Sequence, residues 1–303
     1  MSHLPQRPDV RQRSFGRRSF LAGALGAAVG TGLVAAGCAG IGGPASSRQP
    51  PATVSSLLAD SPFYIAHRGG GGNWPEMTAY AYDQATRLPG LKAVEISVCL
   101  TADGILVCSH DATTKRMTGI DYQIGREQWS TLAPLMVTSV YTTDPTQPAR
   151  PFSRFDEVIE AHIDHTVVFV EPKTPEALEP LMAKMAALGQ PERVVWKQPI
   201  NQENFARAKS HGFATWGYVL DEPGHTFAPR LAGFAASKDI DMLGAQRIQP
   251  DDFVSTVAKA ASANGKKTIM WDIRSAEDRA RALSLGCVGM MTSNIAEVPQ
   301  IPL

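Results

Sequence analysis

From residue 63 to residue 292, short apolar runs alternate with longer amphipathic segments, the rhythm of strands followed by helices. Eight runs read as strands: Phe63 to Ala66, Ala93 to Val98, Val167 to Pro172, Val194 to Gln198, Thr215 to Leu220, Met242 to Gln246, Thr268 to Ile273 and Val288 to Thr292. Between them lie segments with helical spacing of apolar positions, among them 176–189, 201–212, 251–265 and 275–286, each ending in the glycine expected just past a helix. Repeated strand-helix units predict a parallel sheet with helical crossovers, and eight of them predict an α/β fold, a (β/α)8 TIM barrel. In such barrels the chemistry gathers at the C-terminal ends of strands, where His67, Glu171, Lys173 and Trp271 fall.

The stretch from Tyr64 to Gly119 is the densest in reactive side chains. Its first strand runs into His67-Arg68 and then four glycines, Gly69 to Gly72, which allow a tight turn and close approach to a bound group. In the second strand Glu95, Ser97 and Cys99 share one face, and Val94, Ile96 and Val98 the other. A turn at Ala102-Asp103-Gly104 sends the chain back through 105–109 and delivers His110-Asp111 at its far end. The segment from Met117 to Pro151, after the second strand, has no strong period and reads either as a disordered surface loop or as a lid or small inserted subdomain over the barrel mouth.

The N-terminus differs in composition. Residues 1–37 hold five arginines and no lysine, with the arginines preceding an uncharged Ala- and Gly-rich run, and are expected to be an export signal; a membrane anchor is the alternative. GRRSFLAG resembles the twin-arginine signal, and VAAGC resembles a bacterial lipoprotein cleavage site with Cys38 as the lipidated residue, although Ala35 stands where leucine is usual. Membrane attachment through Cys38 and residence in the cell envelope follow as expectations. Residues 38–56 read as a flexible tether, and 57–303 as one barrel. The full chain has 29 basic and 29 acidic residues; the first 37 remove five arginines and Asp9, so 24 basic and 28 acidic remain, a net charge of −4. A mildly acidic domain argues against nucleic acid as a partner. Cys38, Cys99, Cys108 and Cys287 lack the paired spacing of a zinc framework. Cys99 and Cys108 lie on neighbouring segments, as a disulfide or as two thiols.

HRG at His67, PEMT at Pro75, E-x-S at Glu95, TADG at Thr101 and HD at His110 follow one another within about fifty residues. In this order they resemble the glycerophosphodiester phosphodiesterase family, within the phosphatidylinositol-phospholipase-C-like superfamily. The resemblance implies a TIM barrel that hydrolyses a small glycerophosphodiester to glycerol 3-phosphate and an alcohol. It implies His67 and His110 as general acid and base in either order, Arg68 and Lys173 on the phosphate, and Trp271 near the glycerol. It further implies Glu95 and Glu171 as ligands of a divalent cation, Ca2+ or Mg2+. Two residues depart from the pattern: Ser97 replaces a metal-binding aspartate, and Ser293, in TSNIAEVP, replaces the aspartate of T-D-x-P. Ser97 leaves the metal site short of one charge unless water or Glu76 compensates. A phospholipase D acting on sphingo- or lysolipids, and a non-catalytic anion-binding lipoprotein, are the competing expectations.

Overall fold

The computed structural model describes residues 51–300, apart from 143, 145 and 221–227. The export signal at 1–37, Cys38 and most of the tether lie outside the described residues. Eight parallel strands close on one another: β1 Phe63–Ala66, β2 Ala93–Leu100, β6 Val167–Pro172, β7 Val194–Pro199, β8 Ala214–Val219, β9 Met242–Gln246, β10 Lys267–Ile273 and β11 Gly289–Thr292. The remaining strands are β3 Leu106–Cys108, β4 Met136–Val137 and β5 Arg150–Pro151. Closure comes from β1, which pairs with β11 along its length and with β2 at Ala66–Val94. Each expected strand is present within two residues of its expected ends.

These strands are apolar on both faces because the inner face fills the barrel and the outer face meets the helices. Ile65, Phe169, Val195, Trp216, Met242, Ile269 and Met291 form one buried cluster, and the outward residues pack against helices such as Pro175–Ala187 and Asp251–Ala263. Gly189, past the end of the first of these, takes a left-handed φ of 66°, which a side chain would oppose.

Two sequence expectations change, and one open alternative, that of the cysteines, is decided. The tether is shorter than 38–56: the Ala52 amide donates to His165 O, and Thr53 caps a helix at Val54–Leu58. Cys99 and Cys108 are free, buried thiols. The antiparallel register sets Cys99 opposite Val107 and Cys108 opposite Val98, so the two sulfurs leave opposite faces of the sheet and cannot bridge. The glycine run turns tightly, with Gly70 at φ 87°, but the close approach it permits is to the protein itself: a Cβ on Gly70 would lie 2.7 Å from Ile295.

Candidate active site

At the C-terminal end of the barrel, Glu95 on β2, Glu171 on β6 and Lys197 on β7 are all but fully buried, at 0%, 2% and 4% exposure. The β2–β6 register pairs Ser97 with Glu171, and the β6–β7 register pairs Val170 with Trp196, so these side chains meet on the inner face. Lys197 Nζ lies 2.8 Å from Glu95 Oε1 and 2.5 Å from Glu171 Oε2. The Ser97 hydroxyl donates to Glu95 Oε1 at 2.9 Å, and the Arg68 amide to Glu95 Oε2 at 2.9 Å. That amide is aimed inward by a left-handed Arg68, φ 54°, a backbone conformation that costs energy in a non-glycine residue. Glu171 Oε1 accepts from Lys173 Nζ at 3.1 Å and from the Tyr218 hydroxyl at 2.7 Å. Burial would raise both carboxyls, yet the Lys197 ammonium outweighs it, holding Glu95 far below the usual carboxylate range and Glu171 at about 2. Burial likewise opposes the charge on Lys197, and the two glutamates reverse that and raise it.

The two histidines come from different edges of the site. His67 directly follows β1, its Nδ1 3.0 Å from Ser293 Oγ and 3.3 Å from Asp272 Oδ1. Ser293 Oγ in turn donates to Asp272 Oδ1 at 2.6 Å, and Arg274 Nε donates to Oδ2 at 2.7 Å. Burial opposes ionisation of Asp272, but His67 and these donors hold its carboxyl far below the ordinary range. His110 follows β3, placed by the Ser109 amide on Ser97 O; its Nδ1 is 2.7 Å from Asp111 Oδ1. Arg116 Nε donates to Asp111 Oδ2 at 2.6 Å, and its guanidinium lies 2.7 Å from Glu76, which also pairs with Arg68 at 3.3 Å. Glu76 is thereby committed to two arginines and does not stand in for the missing aspartate. Burial, reinforced by Lys173, Arg68 and Lys197, pushes His110 down to about 4 against the pull of Asp111. In both rings Nδ1 faces a carboxylate, so Nε2 is the nitrogen left for a substrate.

Both rings line one cleft of about 410 Å³, with Arg68, Lys173, Trp271 and Arg274 among its other walls. His67, His110, Arg68, Lys173 and Trp271 therefore lie at one mouth, with Glu171 beside them and Glu95 buried beneath. Trp271 lines this cleft while packing edge-on against Trp216 and Tyr218, at 5.6 and 5.0 Å between ring centroids. Tyr141, from the insertion that follows β2 and β3, also lines it, its ring contacting the guanidinium groups of Arg116 and Arg274. Lys197, Asp272, Tyr218, Tyr141 and Arg274, all at this cleft, escaped sequence reasoning. A lysine inside the apolar run VVWKQP is the one legible sign, because a charge in a doubly buried strand needs a partner.

A model of the glycerophosphoryl diester phosphodiesterase family matches residues 67–297, more than half of the chain. The chain belongs to that family. A glycerophosphodiester phosphodiesterase of Caldanaerobacter subterraneus is 48% identical over 54 residues, covering 18% of this chain and 22% of its own. A human lysophospholipase D is 34% identical over 73 residues, covering 24% of this chain and 23% of its own. The chain thus spans under a quarter of the length of either curated relative. In fold it is similar to an Oleispira antarctica phosphodiesterase solved with the product sn-glycerol-3-phosphate, at TM-score 0.61 and 22% identity, covering 80% of this chain and 97% of that one.

Enzymes of this family generally use a divalent metal ion. The residues of this chain do not fit one. Each oxygen of Glu95 and Glu171 already accepts from a protein donor, and a buried ammonium lies between the two carboxylates where a bridging cation would bind. Ser97 contributes a neutral hydroxyl turned toward Glu95, and no cluster of three or more His, Cys, Asp or Glu suited to a metal exists among the described residues.

Proposed function

We propose that the chain hydrolyses glycerophosphodiesters to glycerol 3-phosphate and an alcohol, with His110 as general base and His67 as general acid. The observation that carries this is the pair of imidazoles in one cationic cleft, each with Nδ1 on a carboxylate. His110, held unprotonated at neutral pH by burial, is suited to take the proton of the glycerol 2-hydroxyl. That oxygen attacks phosphorus, the bond to the leaving alcohol breaks, and a protonated His67, with ionised Asp272 as its counter-ion, returns a proton to the alcohol. The product is a cyclic phosphate. In the second half His67 removes a proton from water, whose oxygen attacks phosphorus, and His110 protonates the glycerol oxygen as the ring opens. Arg68 and Lys173 supply the charge that phosphate oxygens require in both steps.

The test is turnover of glycerophosphocholine by the purified chain, followed by release of glycerol 3-phosphate; absence of that product over a range of glycerophosphodiesters refutes the reading. A second reading, lysolipid cleavage, is favoured by the human relative, a lysophospholipase D. Comparing turnover of glycerophosphocholine with that of lysophosphatidylcholine separates the two. We further read the chain as exported and attached through Cys38, on the support of the arginine pair, the Ala- and Gly-rich run and the small residues before the cysteine.

A further inference from the structure

Lys197 enters the cleft from a strand that none of the sequence motifs touches. Its ammonium is nearly inaccessible from outside, lies within hydrogen-bond reach of two carboxylates from two different strands, and still lines the substrate cleft. An ammonium has three N–H donors. Glu95 Oε1 and Glu171 Oε2 take two of them, and the rings of Trp216 and Tyr218 flank the nitrogen at 5.7 and 5.6 Å. The third donor is available to the cleft. A dication bound to the same two carboxylates would have to share their oxygens with Lys197, and two like charges a few ångströms apart in a buried site repel each other strongly. One position therefore accepts either the lysine or the metal.

We propose that the Lys197 ammonium is a built-in replacement for the divalent cation: it neutralises Glu95 and Glu171 and offers its remaining N–H to a substrate oxygen, making the chain a metal-independent enzyme. Ser97 belongs to the same arrangement. Its neutral hydroxyl donates to Glu95 Oε1, the oxygen that also accepts from Lys197, whereas an aspartate there would bring a third buried negative charge against a single ammonium. Lysine and serine are thus a matched pair, and neither alone restores a metal site. The activity arm of this proposal rests on the hydrolytic reading above; the binding arm does not.

The experiment uses the full chain, stripped with EDTA and dialysed. Calcium and magnesium chloride are titrated into it calorimetrically, and turnover of glycerophosphocholine is measured with and without chelator. The expected result is no saturable heat from either ion and turnover changed less than about twofold by EDTA. Saturable binding tighter than about millimolar, or a tenfold or greater loss in EDTA restored by either ion, overturns the proposal. The double variant Ser97→Asp with Lys197→Ala is expected to bind calcium saturably and to melt at higher temperature in its presence; a folded double variant indifferent to calcium counts against a shared position. Should that variant fail to fold, the titration of the unaltered chain decides alone. Lack of turnover in both buffers would overturn the hydrolytic reading and the activity arm, leaving calorimetry to decide whether Lys197 holds the cation's place.

Discussion

Asp272→Asn changes one oxygen to nitrogen and keeps the shape of the group, so its effect isolates the charge beside His67. Asp272 Oδ1 lies 3.3 Å from His67 Nδ1. At an effective dielectric of about 20, a unit pair at this separation interacts by roughly 5 kcal/mol. The carboxylate is shared with Ser293, at 2.6 Å, and with Arg274, at 2.7 Å, and solvent reaches 13% of its surface, so about half of that, ~2–3 kcal/mol, is the loss expected for the protonated ring. A barrier higher by this amount lowers kcat by roughly 30- to 150-fold. Because Asp272 acts through His67 and not on the phosphate, KM should stay within about threefold, a split that general unfolding would not produce. Steady-state kinetics on glycerophosphocholine give both numbers. The decisive companion is the exchange Asp272→Ser with Ser293→Asp. Ser293 Oγ is only 3.0 Å from His67 Nδ1, so a carboxylate at 293 can reach the ring and should recover most of the lost kcat. A native-like kcat in Asp272→Asn, or an exchange variant no better than Asp272→Asn, would refute the claim that a carboxylate orients His67.

Replacing either His67 or His110 with alanine should lower kcat by roughly 10²-fold or more, and the double variant should be little worse than the poorer single one; near-native turnover in a single variant removes that histidine from the chemistry. Burial holds His110 at about 4 against 6.5 for the free ring, so its base form persists in acid and the acidic limb of kcat/KM should lie near pH 4, whereas a limb at 6 to 7 contradicts the assignment. Glu171 has its carboxyl lowered from 4.5 to about 2, so the stability it contributes is complete above pH ~4.5 and lost as pH falls toward 2, on the order of a few kcal/mol; melting temperatures unchanged from pH 5 to 2.5 would contradict this. Intact-mass spectrometry of the native protein should show a chain beginning at Cys38 and carrying acyl groups, and a terminus at Met1 or Ser2 would end the export reading.

The barrel was legible because its signal is local. Apolar runs in register with glycine-terminated amphipathic segments need no tertiary knowledge, and Glu95 and Ser97 could be put on one face from the pleat alone. The histidines were legible for a different reason, the ordered motifs around them. What stayed hidden were the residues whose role depends on closure of the sheet. Lys197 reads as a polar residue near the end of a strand until β7 is set beside β6 and the ammonium falls between Glu171 and Glu95, 26 and 102 positions away in sequence. Asp272 follows Trp271 within an expected strand, and only the β10–β11 pairing brings it to Ser293. Tyr141 comes from a segment without periodicity, so neither strand nor helix spacing could point it at the cleft.

The two departures from the family pattern look like losses when each strand is read alone, and the folded neighbours change that. The resemblance leads one to expect three carboxylates around a dication, a net charge of −1 for that cluster. Here Glu95 and Glu171 surround one ammonium, and the net charge is again −1. A phosphodiester approaching the cleft meets a similar field although the ion that produces it is now covalently part of the chain. The same holds at His67: the carboxylate absent from position 293 is supplied by position 272 on the adjacent strand, and Ser293 remains as the hydroxyl between ring and carboxylate. At His67 the charge moves by one strand, while the ammonium beside Glu95 enters from β7, two strands from Ser97 on β2; in both places the sum that the chemistry feels stays nearly the same. Such exchanges are open to a closed barrel because every strand end has two neighbours aimed at the same mouth, so a required charge can enter from either side. They also carry a functional difference. A lysine cannot be chelated or diluted away, so such a site would stay assembled whatever metals surround it.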